Sequence, residues 1–228
     1  MAGETARAEA ICLAIHPWSR TSHVVRWLTP EGLVTTLVKG AVRPKSAFLG
    51  QYDLNYTCDI IFYARAKGDL HALRECTPVD SRDALRGDYR ALVLADYFRR
   101  QVADTAPNGP EASDWHELLS SALDRLPERR NRLVDLLEFE LGALELAGLS
   151  PALEAERGAV TLRGERQLPV SKATAACLRA PSETHDPQIL LDASRAIGVF
   201  YSFHMDGEPE TRRTVLKLIS TNEQGTDK

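Results

Sequence analysis

Hydrophobic and β-branched residues recur in short runs over the first 80 residues, and each run closes on turn-forming residues. Ala10–His16 (AICLAIH) meets a break at Pro17-Trp18-Ser19. Ser22–Thr29 (SHVVRWLT) leads into Leu33–Lys39 (LVTTLVK) through Pro30-Glu31-Gly32. That turn puts glycine where a positive φ is needed. Asp53–Ala64 (DLNYTCDIIFYA) and Leu70–Cys76 (LHALREC) flank Lys67-Gly68-Asp69, a hairpin signal. Five short strands, with a wider gap between the third and fourth, predict a small five-stranded barrel of the OB type. Strand number alone leaves an SH3-like barrel open.

After Pro78 the period becomes helical. Ala84–Ala103 spaces Leu85, Tyr89, Leu92, Val93, Ala95, Tyr97 and Phe98 along one face. Asn108-Gly109-Pro110 interrupts the chain, and Ser113 then caps a helix through Leu126. Pro127 ends it. Glu128–Ala147 follows as a strong helix, with Gly148 just past its end. Gly158–Leu168 reads as a hairpin, and Ser171–Leu178, Pro187–Phe203 and Arg212–Ile219 as helices. The expected class is α+β. An N-terminal five-stranded OB-fold β-barrel, residues 1–80, would bind nucleic acid. A mainly α-helical domain would follow over 81–222, with a small hairpin near 158–168 and a disordered tail at 223–228.

Composition changes this picture only locally. An apolar content of 43% suffices for a packed core, and no run of about 18 apolar residues exists to span a membrane. The polar N-terminus (MAGETARAEA) is unlike a secretory signal, so a cytoplasmic protein is expected. Cys12, Cys58, Cys76 and Cys177 form no CxxC and read as buried reduced thiols. The net charge is −4, yet residues 10–52 set Arg20, Arg26, Lys39, Arg43 and Lys45 against Glu31 alone. The acidity lies in residues 81–228, where nineteen Lys/Arg meet twenty-four Asp/Glu. A local cationic face on an acidic protein points to phosphates as ligands.

Catalytic signatures are missing from the sequence. It holds no Walker loop, GxSxG or HExxH, and no two of its six histidines are spaced i, i+4 on a predicted helix. Neither a cofactor nor a metal is expected, and the protein reads as a binder and not an enzyme. An OB barrel binds across its second and third strands, between the loops joining strands 1–2 and 4–5. The first loop here is His16–Arg20, carrying Trp18 and Arg20; the second is Ala64–Gly68, carrying Arg65 and Lys67. Between strands 3 and 4, Lys39-Gly-Ala-Val-Arg-Pro-Lys-Ser presents Lys39, Arg43 and Lys45 on irregular backbone, as nonspecific phosphate contact requires. Trp18 is either a base platform or packing across the barrel end. Arg26 either joins the site or solvates its strand, and Trp27 belongs to the core.

The string from His16-Pro-Trp-Ser-Arg through Lys39-Gly-Ala-Val-Arg-Pro-Lys-Ser resembles the N-terminal region of the bacterial recombination mediator family RecO. Leu70-His-Ala-Leu-Arg-Glu resembles its fifth strand, and Glu138-Phe-Glu-Leu-Gly-Ala-Leu-Glu-Leu-Ala-Gly-Leu-Ser-Pro its long central helix. The resemblance implies an OB-fold domain, a helical remainder and no catalytic centre. It implies a DNA repair and recombination protein that binds single- and double-stranded DNA and anneals strands coated by single-stranded DNA-binding protein (SSB). Such a protein works with RecR to assist RecA loading, at the nucleoid. It carries Lys39, Arg43 and Lys45 onto the family's basic loop. The acidic SSB tail would meet a helical-domain site, for which Arg129, Arg130 and Arg132 are the nearby cations.

Two departures stand out. Many relatives carry a four-cysteine zinc site after the central helix, whereas Leu149–Cys177 has Cys177 alone, so zinc is not expected. The basic C-terminal string of relatives is reduced to Arg212 and Arg213. These departures keep a second reading open, a scaffold binding SSB and RecR with little DNA binding of its own.

Overall fold

The computed structural model describes residues 4–65, 68–109, 111–154, 158–162, 166–204 and 209–220. Five strands come first: β1 (Glu4–Ser19), β2 (Ser22–Thr29), β3 (Gly32–Val38), β4 (Thr57–Ala64) and β5 (Leu70–Asp80). They close into a barrel in the order β1-β2-β3-β5-β4, with β3 and β5 parallel, which is the OB-fold. The helices are α1 (Tyr89–Thr105), α2 (Ala112–Arg125), α3 (Arg132–Leu146), α4 (Lys172–Cys177), α5 (Pro187–His204) and α6 (Glu210–Ser220). Between α3 and α4, β6 (Ala152–Glu154), β7 (Ala159–Thr161) and β8 (Gln167–Pro169) form an antiparallel sheet. The predicted hairpin is its β7–β8 half. The polar tail, expected to be disordered, lies outside the described residues.

Contacts divide the chain into two compact units. One comprises Met1–Gly87 with Phe98–Asp124, the other Asp88–Tyr97 with Arg125–Lys228. The first unit thus holds the barrel together with α2 and the C-terminal half of α1.

In the first unit, β1 is far longer than its apolar run. Residues 4–11 pair with β4 and residues 11–19 with β2, so one strand closes the barrel on both sides. Its first half alternates partly buried Ala6 and Ala8 with exposed Glu4, Arg7 and Glu9. Alanine is a weak hydrophobic signal, which is why the alternation escapes a reading by apolar runs. Pro17-Trp18-Ser19 is strand rather than a break: Pro17 pairs with His23 and Ser19 with Ser22, leaving only Arg20-Thr21 as the turn. Conversely, β4 begins at Thr57, not Asp53, because Tyr56 N–H returns to Asp53 O and Asn55 has φ 68°. Gly32 closes the β2–β3 hairpin at φ 137°, as the Pro-Glu-Gly turn predicts.

The barrel core packs Ala10, Cys12, Val25, Trp27, Val38, Cys58, Ile60, Phe62, Leu73 and Cys76. Trp27 is fully buried and donates its indole N–H to Thr36 Oγ1 at 2.9 Å, so its one polar atom is satisfied. The three thiols are free and buried; Cys58 and Cys76 both approach Gln51 O at 3.6 Å. The β1–β2 register shifts between Cys12 and Ala14, a bulge that takes Leu13 out of that ladder. Arg99 of α1 donates to the Leu13 carbonyl. Arg82, buried at φ 46°, donates to Asn55 O and Thr57 Oγ1 at 2.7 Å each. It also reaches Ser120 Oγ at 3.0 Å and Asp124 Oδ1 at 2.7 Å on α2, fastening that helix to the start of β4.

In the second unit, α3 starts at Arg132 and not at Glu128. Asn131 is its N-cap, accepting from the N–H groups of Leu133 at 3.2 Å and Val134 at 3.3 Å. Its fully buried Glu140 is the centre of a polar cluster. The carboxylate accepts from Tyr97 OH at 2.6 Å, and from Arg212 Nε at 2.7 Å and Nη2 at 2.8 Å. Arg212 Nη2 also donates to Ser194 O at 2.7 Å, so α1, α3, α5 and α6 meet at one buried ion pair. Burial and the neighbouring Glu140 hold the Tyr97 phenol well above its usual range, so it stays a donor.

Two stability changes follow. Arg82→Met strands the Asn55 carbonyl but leaves Asp124 half in water, so a loss of about 2 kcal/mol is expected in urea unfolding. Glu140→Gln leaves an uncompensated buried guanidinium and should cost about 3–5 kcal/mol; the double variant Glu140→Leu with Arg212→Met should recover most of that in the same assay.

Candidate nucleic-acid interface

The barrel topology determines which cations meet. β2 and β3 pair from Thr29–Gly32 to His23–Val38, so the β1–β2 turn and the exit of β3 share one end of the hairpin. Two hydrogen bonds join them: Gly40 N–H donates to Ser22 Oγ at 3.2 Å, and Val42 N–H to Thr21 O at 3.4 Å. The β3–β4 connection is therefore laid against the β1–β2 turn. Arg20, Lys39, Arg43 and Lys45, distant in sequence, all stand exposed on these two segments.

The connection itself is a string of turns. Arg43 N–H returns to Gly40 O at 3.1 Å, Ser46 N–H to Arg43 O at 2.9 Å, and Leu49 N–H to Ser46 O at 3.3 Å. Gly40 has φ 68°, and a Cβ there would lie 3.2 Å from Arg43 Cδ. Glycine thus allows both the turn and the fold of the arginine stem over it. Buried Ala41 and partly buried Phe48 and Tyr52 pack into the barrel core and anchor the segment from beneath.

The remaining predicted residues lie along the sheet. Ala14, Arg26, Thr35 and Leu70 are successive register partners across β1, β2, β3 and β5. Arg26, half-buried, occupies the middle of that row. Arg65 follows β4, and its N–H donates to His71 Nδ1 at 3.1 Å, which holds this loop beside β5. Trp18 is 63% exposed on the β1 edge of the hairpin and does not pack across the barrel end. Lys67 lies outside the described residues. Elsewhere on the barrel the cations are engaged: Arg7 binds Asp59, Arg74 meets Glu75 at 3.1 Å, and Arg86 meets Asp53 at 3.1 Å. Among the described residues, Arg20, Arg26, Lys39, Arg43 and Lys45 make no ion pair with a carboxylate. Arg20, Lys39, Arg43 and Lys45 are thus exposed without a carboxylate partner, and Arg26 is half-buried without one.

The cations suggested for an acidic partner in the second unit fare differently. Arg132 is buried, donating to Leu126 O at 2.7 Å, Asp135 at 3.0 Å and Asp88 at 2.7 Å. Its charge serves the fold, and its hydrogen bond holds the Asp88 carboxyl below the usual range. Arg129 pairs with Glu138 and Asp135, leaving Arg130 exposed. Arg212, read from sequence as a remnant of a basic tail, is the buried partner of Glu140.

A different groove, of about 520 Å³, opens between α5 and α6. Leu191, Val199 and Leu216 supply its apolar wall, and Arg195, Arg213 and Lys217 its cations. The i, i+4, i+8 row Leu191–Arg195–Val199 was its available sequence signal, masked by the surrounding apolar helix. Cys177 stands alone and buried, and the strands of the small sheet are joined by backbone pairing and by Gln167 Nε2 donating to Glu154 Oε1 at 2.7 Å. Among the described residues, no three His, Cys, Asp or Glu side chains are placed to hold a metal. Nor is any described helix long and apolar enough to cross a membrane.

The barrel coincides with a known family: residues 1–82 match the model described as "Recombination protein O N terminal". A DNA repair protein RecO of Anaeromyxobacter dehalogenans (strain 2CP-1 / ATCC BAA-258) is 29% identical over 153 residues, 67% of this chain and 60% of the relative. One from Anaeromyxobacter sp. (strain K) is 31% identical over 139 residues, 60% and 55% of the two chains. One from Rhodopirellula baltica (strain DSM 10527 / NCIMB 13988 / SH1) is 30% identical over 153 residues, 64% and 54%. The matches thus span between about half and three fifths of the curated relatives' length. With an OB barrel over the matched residues and the basic connection between its third and fourth strands, residues 1–82 match the N-terminal domain of the RecO family, and the chain is similar to RecO proteins over up to about two thirds of its length.

Proposed function

We propose that this protein acts in DNA repair and recombination as a non-enzymatic mediator. It captures DNA on the barrel, anneals strands coated by SSB and, with RecR, assists RecA loading in the cytoplasm at the nucleoid. The observation that carries this reading is the convergence of Arg20, Lys39, Arg43 and Lys45 on two hydrogen-bonded segments with no carboxylate partner. Cations at one end of a barrel lower the repulsion between two phosphate backbones, and releasing condensed counterions supplies affinity that falls with salt. Arg26 and Arg65 extend the cationic track along the sheet, and Trp18 offers a face for a base.

The SSB tail, an acidic peptide, is assigned to the α5–α6 groove. There Arg195 is held only by an exposed pair with Asp192 at 3.1 Å, a contact of little worth that a ligand carboxylate can replace. Arg130 is the one of the three earlier candidates still exposed for such a contact. The scaffold reading retains one specific support, the burial of Arg212, which removes the C-terminal charge that relatives' basic string would supply.

Two experiments separate these. Lys39→Glu with Arg43→Glu should abolish the salt-sensitive acceleration of annealing of SSB-coated oligonucleotides and weaken DNA binding by about tenfold or more; unchanged annealing would remove the barrel from the mechanism and favour the scaffold. Arg195→Glu with Lys217→Glu should weaken binding of a labelled SSB-tail peptide by about tenfold while DNA affinity holds. Unchanged peptide binding would place the SSB contact elsewhere.

A further inference from the structure

The same end of the barrel carries apolar side chains that phosphate binding leaves unexplained. Trp18, Val42 and Leu49 are 63%, 48% and 57% exposed. Val42 and Leu49 sit on the β3–β4 connection, Trp18 stands two residues before the β1–β2 turn, and residues 32–52 contain no acid. Their exposure is imposed. Ala41 is buried while Val42 points out, and Phe48 packs on the barrel core while Leu49 points out. Val42 N–H is tied to Thr21 O, and Leu49 N–H to Ser46 O, so the backbone at both positions is held by these bonds.

Resting on the DNA-binding reading above, we infer that Trp18, Val42 and Leu49 form an apolar platform for unpaired bases, which makes the barrel selective for single-stranded over duplex DNA. The charge pattern identifies the occupant. Unpaired cations interspersed in sequence with exposed apolar residues, in a stretch of residues 32–52 that holds no acid, match a chain that alternates phosphates with exposed flat rings. Duplex DNA offers the phosphates but hides the ring faces in its stack. Cations alone would bind both forms, and the apolar side chains supply the difference. Pairing of two captured strands withdraws the bases from the platform, so the product duplex retains only its phosphate contacts and leaves more readily than its strands.

The test uses the full chain with a fluorescent dT oligonucleotide and a duplex of equal length, by anisotropy at two salt concentrations. Val42→Ser with Leu49→Ser, and separately Trp18→Ala, replace exposed side chains, and melting curves should match the wild type. The expected result is a loss of about tenfold in dT affinity for each variant, with duplex affinity and its salt dependence unchanged. Equal binding of dT by wild type and both variants would overturn the platform while leaving the cationic reading, tested by Lys39→Glu with Arg43→Glu, intact. Failure of wild type to bind either DNA would overturn both. Loss of binding to anionic phospholipid vesicles in the Val42/Leu49 variant, with dT affinity unchanged, would reassign the surface to a membrane.

Discussion

The barrel rests on one constraint: β1 must serve two partners. Its first half pairs with β4 and its second with β2, with the handover at Ile11. A strand doing both must bend, and the bulge at Leu13 lies just past the handover. The bend removes a carbonyl from the ladder, and Arg99 satisfies it. Closure leaves no long open edge. It also brings the β1–β2 turn against the exit of β3, and so decides where four cations and three apolar side chains are displayed.

Each unit uses arginine in a second capacity, as internal fastener. Arg82 gathers Asn55, Thr57, Ser120 and Asp124; Arg212 gathers Glu140 and Ser194; Arg132 gathers Asp88, Asp135 and Leu126. A guanidinium can satisfy several acceptors in one plane, so its burial is compensated where a lysine would leave acceptors unmet. Such clusters add little net stability over apolar packing, but they penalise any arrangement that separates the partners. The outward arginines of the barrel end are distinguished by lacking such partners, and the proposed DNA-binding site rests on that distinction more than on the number of cations.

The sequence reading of the first 80 residues recovered the five strands because β-branched runs and Gly/Pro turns are local signals. It shortened β1 at both ends, since Ala6 and Ala8 are too small to register as a buried face and Pro17 reads as a breaker although it lies within β1. It started α3 too early because Asn131, the true cap, is recognised only through the two N–H groups it accepts. It grouped Arg129, Arg130 and Arg132 by adjacency, while packing sent Arg132 inward and left Arg130 outside. Val42 and Leu49 passed unnoticed because a single apolar residue in a loop carries no periodic signal.

Taken alone, the sequence determined five strands followed by helices, the family resemblance and the basic string Lys39–Lys45. These rest on local patterning and residue type, which a linear chain displays directly. The tertiary structure alone decided which cations are unpaired, which apolar loop residues are kept from burial, and that Arg212 belongs to Glu140 and not to a ligand. Pairing and burial depend on partners tens of residues away: 72 residues separate Glu140 from Arg212. Only the folded chain brings those partners within hydrogen-bonding distance.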